Sequence, residues 1–476
     1  MQPCPGVSVL SRKQQLLKRH RRNKRVALMV ALVILVLVGV LVTWWLPLVL
    51  AVLGWVAHEA WFSDHLFYSP ADDYQYQLPA QNELAGVRLH GNALTFDQAP
   101  GLDGSETLVL ALSIKSSWLG RFFDPFIELS GGEIQDRQSF ERGVNGLRYL
   151  NLTGFASALN GLRIRGRHCT IQGEPRLWSF RHDDARRRRV MVIAPHADDA
   201  ELAAFGLYSQ ADESWIVTLT AGEIEAEHYQ QMGMNRAEAA RIKGRLRAWD
   251  SITVPRWAGV PESRCVQLGY FCLQLPAMQA APDQPIASRE AELGDTRIFR
   301  QFNTMSLPSD ADGAPTWNNL IADLRALLLH ARPEVLVMPH ETIDPHPDHV
   351  CAQAAVRQAL QGLDWQPDVV LGYANHLHDN DRWPMGNAYS GVSLPPVFDT
   401  SRELVPYSIE LNVEQQRDKA MALGMMHDLQ PLPPLKRRVR RLLQKILAGR
   451  QWPAEGENEF FRKAVRRHEL FWRSKP

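Results

Sequence analysis

The chain predicts an α/β domain built on a parallel sheet, preceded by an N-terminal membrane helix and a small antiparallel β domain. Three observations predict it. From His182 the run HDDARRRR forms a charged linker ending at Arg189, and beyond it strand-like and helix-like segments alternate, which is the pattern of α/β layering. Between Asp73 and Phe180 the short apolar segments GVRLHG, ETLVLALSI, PFIELSGG, LRYLNLTG, GLRIRG and RLWSF are punctuated by glycine, as in an antiparallel domain of the sandwich type. Val26 to Ala57 carries no charged residue, while Met1 to Arg25 holds many Lys and Arg and no acid.

That N-terminal run is too long for a secretory signal, whose apolar region is about 7–15 residues. It also exceeds the roughly 20 residues that cross a bilayer. Trp44, Trp45 and Pro47 interrupt it, and Trp favours the membrane interface. The expectation is one span over Val26 to Trp45 followed by an interfacial stretch, because two full crossings need about 40 apolar residues. The basic flank stays cytoplasmic, so one span in a bacterial inner membrane puts the remaining chain outside the cytoplasm. A hairpin, the alternative, keeps it inside. The division expected is a basic tail at 1–25, the membrane and interfacial segment at 26–62, the accessory β domain at 73–181, the α/β domain at 189–430 and a basic amphipathic segment at 431–476.

Within the α/β region, Val190 to Ala194 reads as a buried parallel strand, Trp215 to Thr220 as a second, and Asn235 to Trp249 as a helix. Trp317 to His330 reads as an amphipathic helix with Thr316 as N-cap. Pro333 to Pro339 and Asp368 to Ala374 read as later strands. Pro276 to Pro315 is a long polar stretch, either a lid or a disordered insertion. In KRRVRRLLQKILAGR, Val439, Leu442, Leu443, Ile446 and Leu447 share one helical face. That face suits either an anionic membrane surface or docking on the protein's own core.

Composition excludes little else. A net charge of +1 gives no reason to expect a nucleic-acid partner. Cys4, Cys169, Cys265, Cys272 and Cys351 are scattered, with no CxxC; Cys265 and Cys272 either pair or stay as buried thiols. Trp118, Phe122, Phe123, Tyr149 and Trp178 are expected to fill a core more than to stack on sugars.

The chemistry concentrates at two strand ends, where open α/β sheets place their ligands. The first apolar run ends at His196, Asp198, Asp199 and Glu201, in PHADDAE; the second leads into His340, Glu341, Asp344, His346, Asp348 and His349, in HETIDPHPDH. Each cluster alone is also ordinary helix-cap or turn chemistry. Their shared position after buried strands favours one ion held by both. His340 and Glu341 read as supporting or plain loop residues.

PHADDAE followed by DPHPDH resembles the paired signature of the PIG-L/LmbE-like family of metal-dependent N-acetylglucosaminyl de-N-acetylases. The resemblance runs from Arg189 to Gln430. It includes LTAGE at Leu219 to Glu223, NRAEAA at Asn235 to Ala240, and the Lys419, Ala422, Gln430 spacing. It implies a Rossmann-like LmbE-type parallel-sheet domain, with His196, Asp199 and His349 as ligands of Zn2+ or another divalent ion such as Fe2+. It implies Asp198 as base, His346 as electrophilic helper and Asp348 as its orienter, with Asp344 also placed for that. Arg236, rather than Asn235, is taken as the sugar-gripping residue. The sequence departs from the family at Ala197, where Pro is usual, and at Ala203 and Phe205, where glycine is expected. Those departures put pocket shape in doubt.

Such a ligand set leaves a coordination position open, as catalytic zinc sites do, and acetamide hydrolysis needs an activated water, a proton acceptor and an oxyanion partner. The expected function is a membrane-anchored de-N-acetylase acting on an N-acetylated sugar or glycolipid, in a cell-envelope or lipid-linked glycan such as lipopolysaccharide. Its partners are that substrate and membrane lipids. A catalytically inactive glycan-binding protein and a metal-dependent phosphoesterase are the alternatives.

Overall fold

A computed structural model describes residues 12–474 apart from 65, 400, 454 and 457. Cys4 and the first part of the basic tail lie outside the described residues. The fold is mixed α/β, with an N-terminal apolar helix and sheets that contain both parallel and antiparallel strands.

The central sheet has seven strands, in the order Cys265–Tyr270, Glu213–Thr220, Arg189–Ala194, Val335–Pro339, Val369–Tyr373, His468–Ser474 and Val405–Glu410. The first five are parallel and the last two join antiparallel. Strand side chains alternate between faces, so Val190, Val192 and Ala194 enter one core layer while Met191 and Ile193 enter the other. Both faces are covered by helices, which explains the uninterrupted apolar run. The expected elements are found: strands at Arg189–Ala194, Glu213–Thr220 and Val335–Pro339, and helices at Arg236–Thr253 and Trp317–Ala331. Thr316 caps the last by accepting from the Asn319 amide.

One feature differs from expectation, and two decide between alternatives the sequence left open. The strand His468–Ser474 lies inside the sheet, beyond the boundary expected at residue 430, because its inward residues Leu470 and Trp472 pack toward the β domain while Phe471 faces the other way. The polar stretch 276–315 is not a disordered insertion. It is built into the fold by buried Phe299 and Leu307 and by Ser288, whose hydroxyl donates to Glu223 at 2.7 Å. The four described cysteines, Cys265 and Cys272 among them, are buried free thiols.

Between residues 83 and 180 lie a four-stranded and a five-stranded sheet, both antiparallel. In the strand Thr107–Ser116, Leu108, Leu110, Leu112 and Ile114 face the core shared by these sheets. Val109 and Ala111 face the α/β domain, against a cluster that includes Trp178, Ile343, Leu377 and Trp472. This strand is buried on both faces, so the β domain is packed against the loops that follow the parallel strands rather than tethered to them. Tyr149 and Trp178 belong to that packing, whereas Trp118 is 70% exposed.

The N-terminal apolar run holds one helix of membrane-crossing length, the one expected, and a shorter apolar stretch after it. Arg12–Leu41 is one helix, long and apolar enough to cross a membrane by length and composition. A second apolar helical stretch, Leu46–Phe62, returns from it. At the turn, a Cβ on Gly39 would meet the Pro47 ring at 3.1 Å; at the open end the His20 ring lies 6.1 Å from Phe67.

Candidate active site

The strand Arg189–Ala194 delivers Pro195, His196, Ala197 and Asp198 to the N-terminus of the helix Asp199–Tyr208. Asp198 stands at φ +136°, a strained conformation for a residue with a side chain. The tight turn brings Asp199 back over His196. Asp199 Oδ2 accepts from the His196 amide at 2.9 Å and lies 3.1 Å from His196 Nδ1. The neighbouring strand Val335–Pro339 leads to the helix Pro347–Leu360, whose first turn carries Asp348 and His349. His349 Nε2 lies 3.1 Å from that same Asp199 oxygen. Two distant segments therefore meet at one carboxylate.

Around this centre several polar groups hold one another in place. Asp344 Oδ2 lies 3.0 Å from His349 Nδ1 and accepts from the backbone of Asn375 and His376. Asn375 Nδ2 donates to Asp199 Oδ1 at 2.7 Å. The His346 ring stands 5.0 Å from that of His196 and stacks on His376, also at 5.0 Å. Asp348 was expected to orient His346 but has other partners. Its Oδ2 lies 3.2 Å from His196 Nε2 and accepts from the Leu273 amide at 2.7 Å. As the second residue of the helix it points back toward the first strand end, while the His346 amide is held by Asp344 at 3.1 Å.

Arg247 closes the site from below. Its Nη2 donates to the Ala197 carbonyl at 2.8 Å and reaches Asp198 Oδ1 at 3.4 Å, while its Nη1 and Lys243 both hold Asp428. Gly222, at φ +61°, makes this approach feasible, since a Cβ there would meet Arg247 Nε at 2.3 Å. Arg236 is not part of the cluster. Its side chain is 68% exposed and pairs with Glu290, because the helix begins with Asn235 as its cap and turns the next residue outward. Glu201 also turns away, accepting from the Tyr208 hydroxyl at 3.0 Å. His340 accepts from the amides of Thr342 and Ile343, and Glu341 pairs with Arg357 and Arg402, so both serve their own loop.

The electrostatics follow from burial. Desolvation raises the Asp198 carboxyl to about 6, against the pull of Arg247. Burial lowers His346 to about 3, reinforced by the neighbouring His196, His349 and His376, so it sits neutral. Burial opposes charge on His349 too, but Asp199 and Asp344 outweigh it and lift it to about 9.

The donor set suits a divalent ion. His196, His346 and His349 offer nitrogens within 4.8 Å of one another, as do the donors of Asp199, His349 and His376, and of His196, Cys272 and Asp348. His349 Nε2, His346 Nδ1 and Asp348 Oδ1 are buried without a hydrogen-bond partner, a costly state for polar atoms that an ion relieves. Reading the motifs missed Arg247, Asn375 and His376. The last two follow the strand Val369–Tyr373 after Ala374, and the strand-end rule that singled out the two motifs applies equally to them.

The model of the PIG-L family, described as GlcNAc-PI de-N-acetylase, matches residues 191–360. That match holds both motifs and ends before Asn375. Among solved structures, a triple mutant of the deacetylase Orf2, involved in the teicoplanin biosynthetic pathway, is 16% identical. It is covered over 99% of its length by 60% of this chain, with a TM-score of 0.31. The zinc-inhibited form of teicoplanin deacetylase Orf2 is also 16% identical, covered over 97% by 60% of this chain, with a TM-score of 0.30. GalB, the 4-carboxy-2-hydroxymuconate hydratase from Pseudomonas putida KT2440, is 12% identical, covered over 84% by 54% of this chain, with a TM-score of 0.29. No curated protein matches the chain.

Proposed function

We propose that this chain is a membrane-anchored, zinc-dependent de-N-acetylase that hydrolyses the acetamide of an N-acetylated amino sugar in a lipid-linked or cell-envelope glycan. The observation that carries the reading is the single Asp199 oxygen 3.1 Å from both His196 Nδ1 and His349 Nε2, beside a second carboxylate on Asp198. His196, Asp199 and His349 are the residues that would hold the ion; Fe2+ suits the same donors. A divalent ion there supplies a water acidified toward neutral pH and a Lewis-acid partner for the acetamide carbonyl.

The rest is the work of side chains. Asp198, raised to about 6 by burial, is matched to taking up the proton of the attacking water near neutrality and returning it to the departing amine. Arg247 fixes that carboxylate and the Ala197 carbonyl behind it. His346, one face against His376, turns toward His196 and is the group read as facing the developing oxyanion. The parallel strands are read as a Rossmann-like LmbE-type layer, and residues 73–181 as an accessory β-sandwich that supports its loops.

The test is acetate release from lipid-linked N-acetylhexosamine glycans by the full chain in detergent, with and without added Zn2+ and with Asp198→Asn as control. Acetate that depends on Asp198 supports the reading. Phosphate release from phosphoesters in its place would assign a phosphoesterase, and saturable sugar binding without turnover would assign a glycan-binding protein.

A further inference from the structure

The geometry points to a monotopic anchor: a helical hairpin that enters and leaves the bilayer on one face, joined by an amphipathic helix lying in the same interface, so that the catalytic site faces the cytoplasm. This inference rests on the membrane-anchored reading above and deepens it.

The hairpin begins in a basic segment, Lys18 to Arg25, that is exposed apart from the half-buried His20. From Val26 to the turn the first arm is about 24 Å long at 1.5 Å per residue, and the returning arm from Leu46 to Phe62 is about the same. The whole helix Arg12–Leu41 is long enough to cross a hydrocarbon core of about 30 Å, but its uncharged part and the returning arm each stop short of that length. The turn exposes Leu41 and Trp44 at 77% and 85%. Ahead of the first arm, Leu16, Leu17 and His20 are half-buried, and the His20 ring lies beside Phe67, just past the second arm. Both ends of the hairpin therefore open on one side.

The returning arm is bolted to the body. Glu59 pairs with Arg440 and its carbonyl accepts from Gln444 at 3.3 Å; Asp64 gathers Arg142, Arg382 and Arg450. Arg440 and Gln444 belong to the helix Leu435–Ala448, which thus docks by its polar edge. Part of its apolar face is left outward, with Leu435 at 75%, Leu442 at 56% and Ile446 at 67% exposed, while Val439, Leu443 and Leu447 are half-buried. Trp61 donates to the Phe122 carbonyl at 3.0 Å, which sets exposed Phe122 and Trp118 against the base of the arm, where Phe62 is also exposed.

An apolar surface thus continues from the hairpin base in both directions. Exposed Lys436, Arg437, Arg438 and Lys445 flank it. Cations around an apolar face match the anionic headgroups and acyl boundary of a bilayer, and the continuity with an apolar hairpin makes lipid the occupant rather than a soluble partner. Basic flanks remain cytoplasmic; with both ends on one side, the catalytic domain remains there too. The substrate is then a glycolipid presented in the cytoplasmic leaflet.

Two measurements on the full chain test this, neither using activity. Alkaline phosphatase fused after Pro476 should be inactive in the membrane fraction, and green fluorescent protein fused there should fluoresce. Active phosphatase in that fraction overturns the hairpin and leaves the deacetylase reading standing. Loss of the chain from washed membranes overturns the anchor itself. In vesicles of phosphatidylcholine and phosphatidylglycerol, a nitroxide on Leu442→Cys should be more accessible to oxygen than to a soluble nickel chelate, with the reverse on Glu133→Cys of the β domain. Equal behaviour at both positions overturns the interfacial helix.

Discussion

Arg247 and Asp198 stand 3.4 Å apart, guanidinium to carboxylate, both buried. The Arg247 charge opposes the desolvation that raises Asp198. Replacing it by Lys, a point charge without the planar fork, weakens that opposition, so Asp198 ionises at higher pH. We expect the acid limb of the pH profile of kcat/KM to move upward in Arg247→Lys, with kcat falling about tenfold to a hundredfold at pH 7. An unmoved limb would remove Arg247 from the tuning of this carboxylate.

Asp198 and Asp199 are neighbours with different tasks in the proposed mechanism. Asp198→Asn is expected to keep stoichiometric metal and lose about 100- to 10,000-fold in kcat, the range for removing a general base. Asp199→Asn and His349→Ala are expected to lose the metal itself. Metal content by inductively coupled plasma spectrometry, set beside acetate release, separates the two outcomes.

Asn375 donates to Asp199 Oδ1, and Asp344 holds His349 Nδ1. Groups that orient metal ligands in this way typically contribute 10- to 100-fold in affinity. Asn375→Ala and Asp344→Asn should therefore weaken Zn2+ binding by that factor in competition with a chelator, and wild-type affinity in both would show that the ligands are held without them.

Much of this site was legible because strand, turn and acidic cluster are contiguous. PHADDAE and DPHPDH each follow a run that is apolar on both faces, and that pattern locates a strand end whatever the rest of the chain does. Side-chain direction was not legible. Asp348 and His346 are two residues apart, yet Asp348 turns to His196 across 152 positions of sequence, because the start of the helix aims it there. Arg236 and Arg247 lie on one helix, and which of them faces the site depends on Asn235 being the cap. The strand His468–Ser474 is short and follows a basic run, so its local pattern could not reveal a place inside the sheet.

Acid should destabilise the fold through His468. The ring is buried, its Nε2 3.1 Å from the Thr153 carbonyl, and burial lowers it to about 4 from an ordinary 6.5. Below pH 6.5 the unfolded chain takes up a proton that the folded chain refuses, so stability falls as pH drops from about 6.5 to about 4 and then levels. One such group contributes about 3 kcal/mol across that window. Denaturant unfolding of His468→Gln between pH 4 and 7.5 should show a shallower slope than the parent by roughly that total; parallel curves would mean the ring is already protonated in the fold.

Trp178 joins the β domain to the loops that carry the site, since it packs in one cluster with Ile343, three residues before His346, and Leu377, next to His376. Leu110, on the neighbouring strand, faces only the β-domain core. Truncating either large side chain removes buried apolar volume, and Trp178→Ala and Leu110→Ala should each cost about 2–5 kcal/mol of stability. Their effects on the site should differ. In Trp178→Ala the segment bearing Asn375 and His376 loses its backing, so Zn2+ affinity should fall severalfold at a temperature where the variant remains folded. In Leu110→Ala affinity should be unchanged. Equal affinity in both variants would make the β domain a stabilising neighbour with no part in holding the metal ligands.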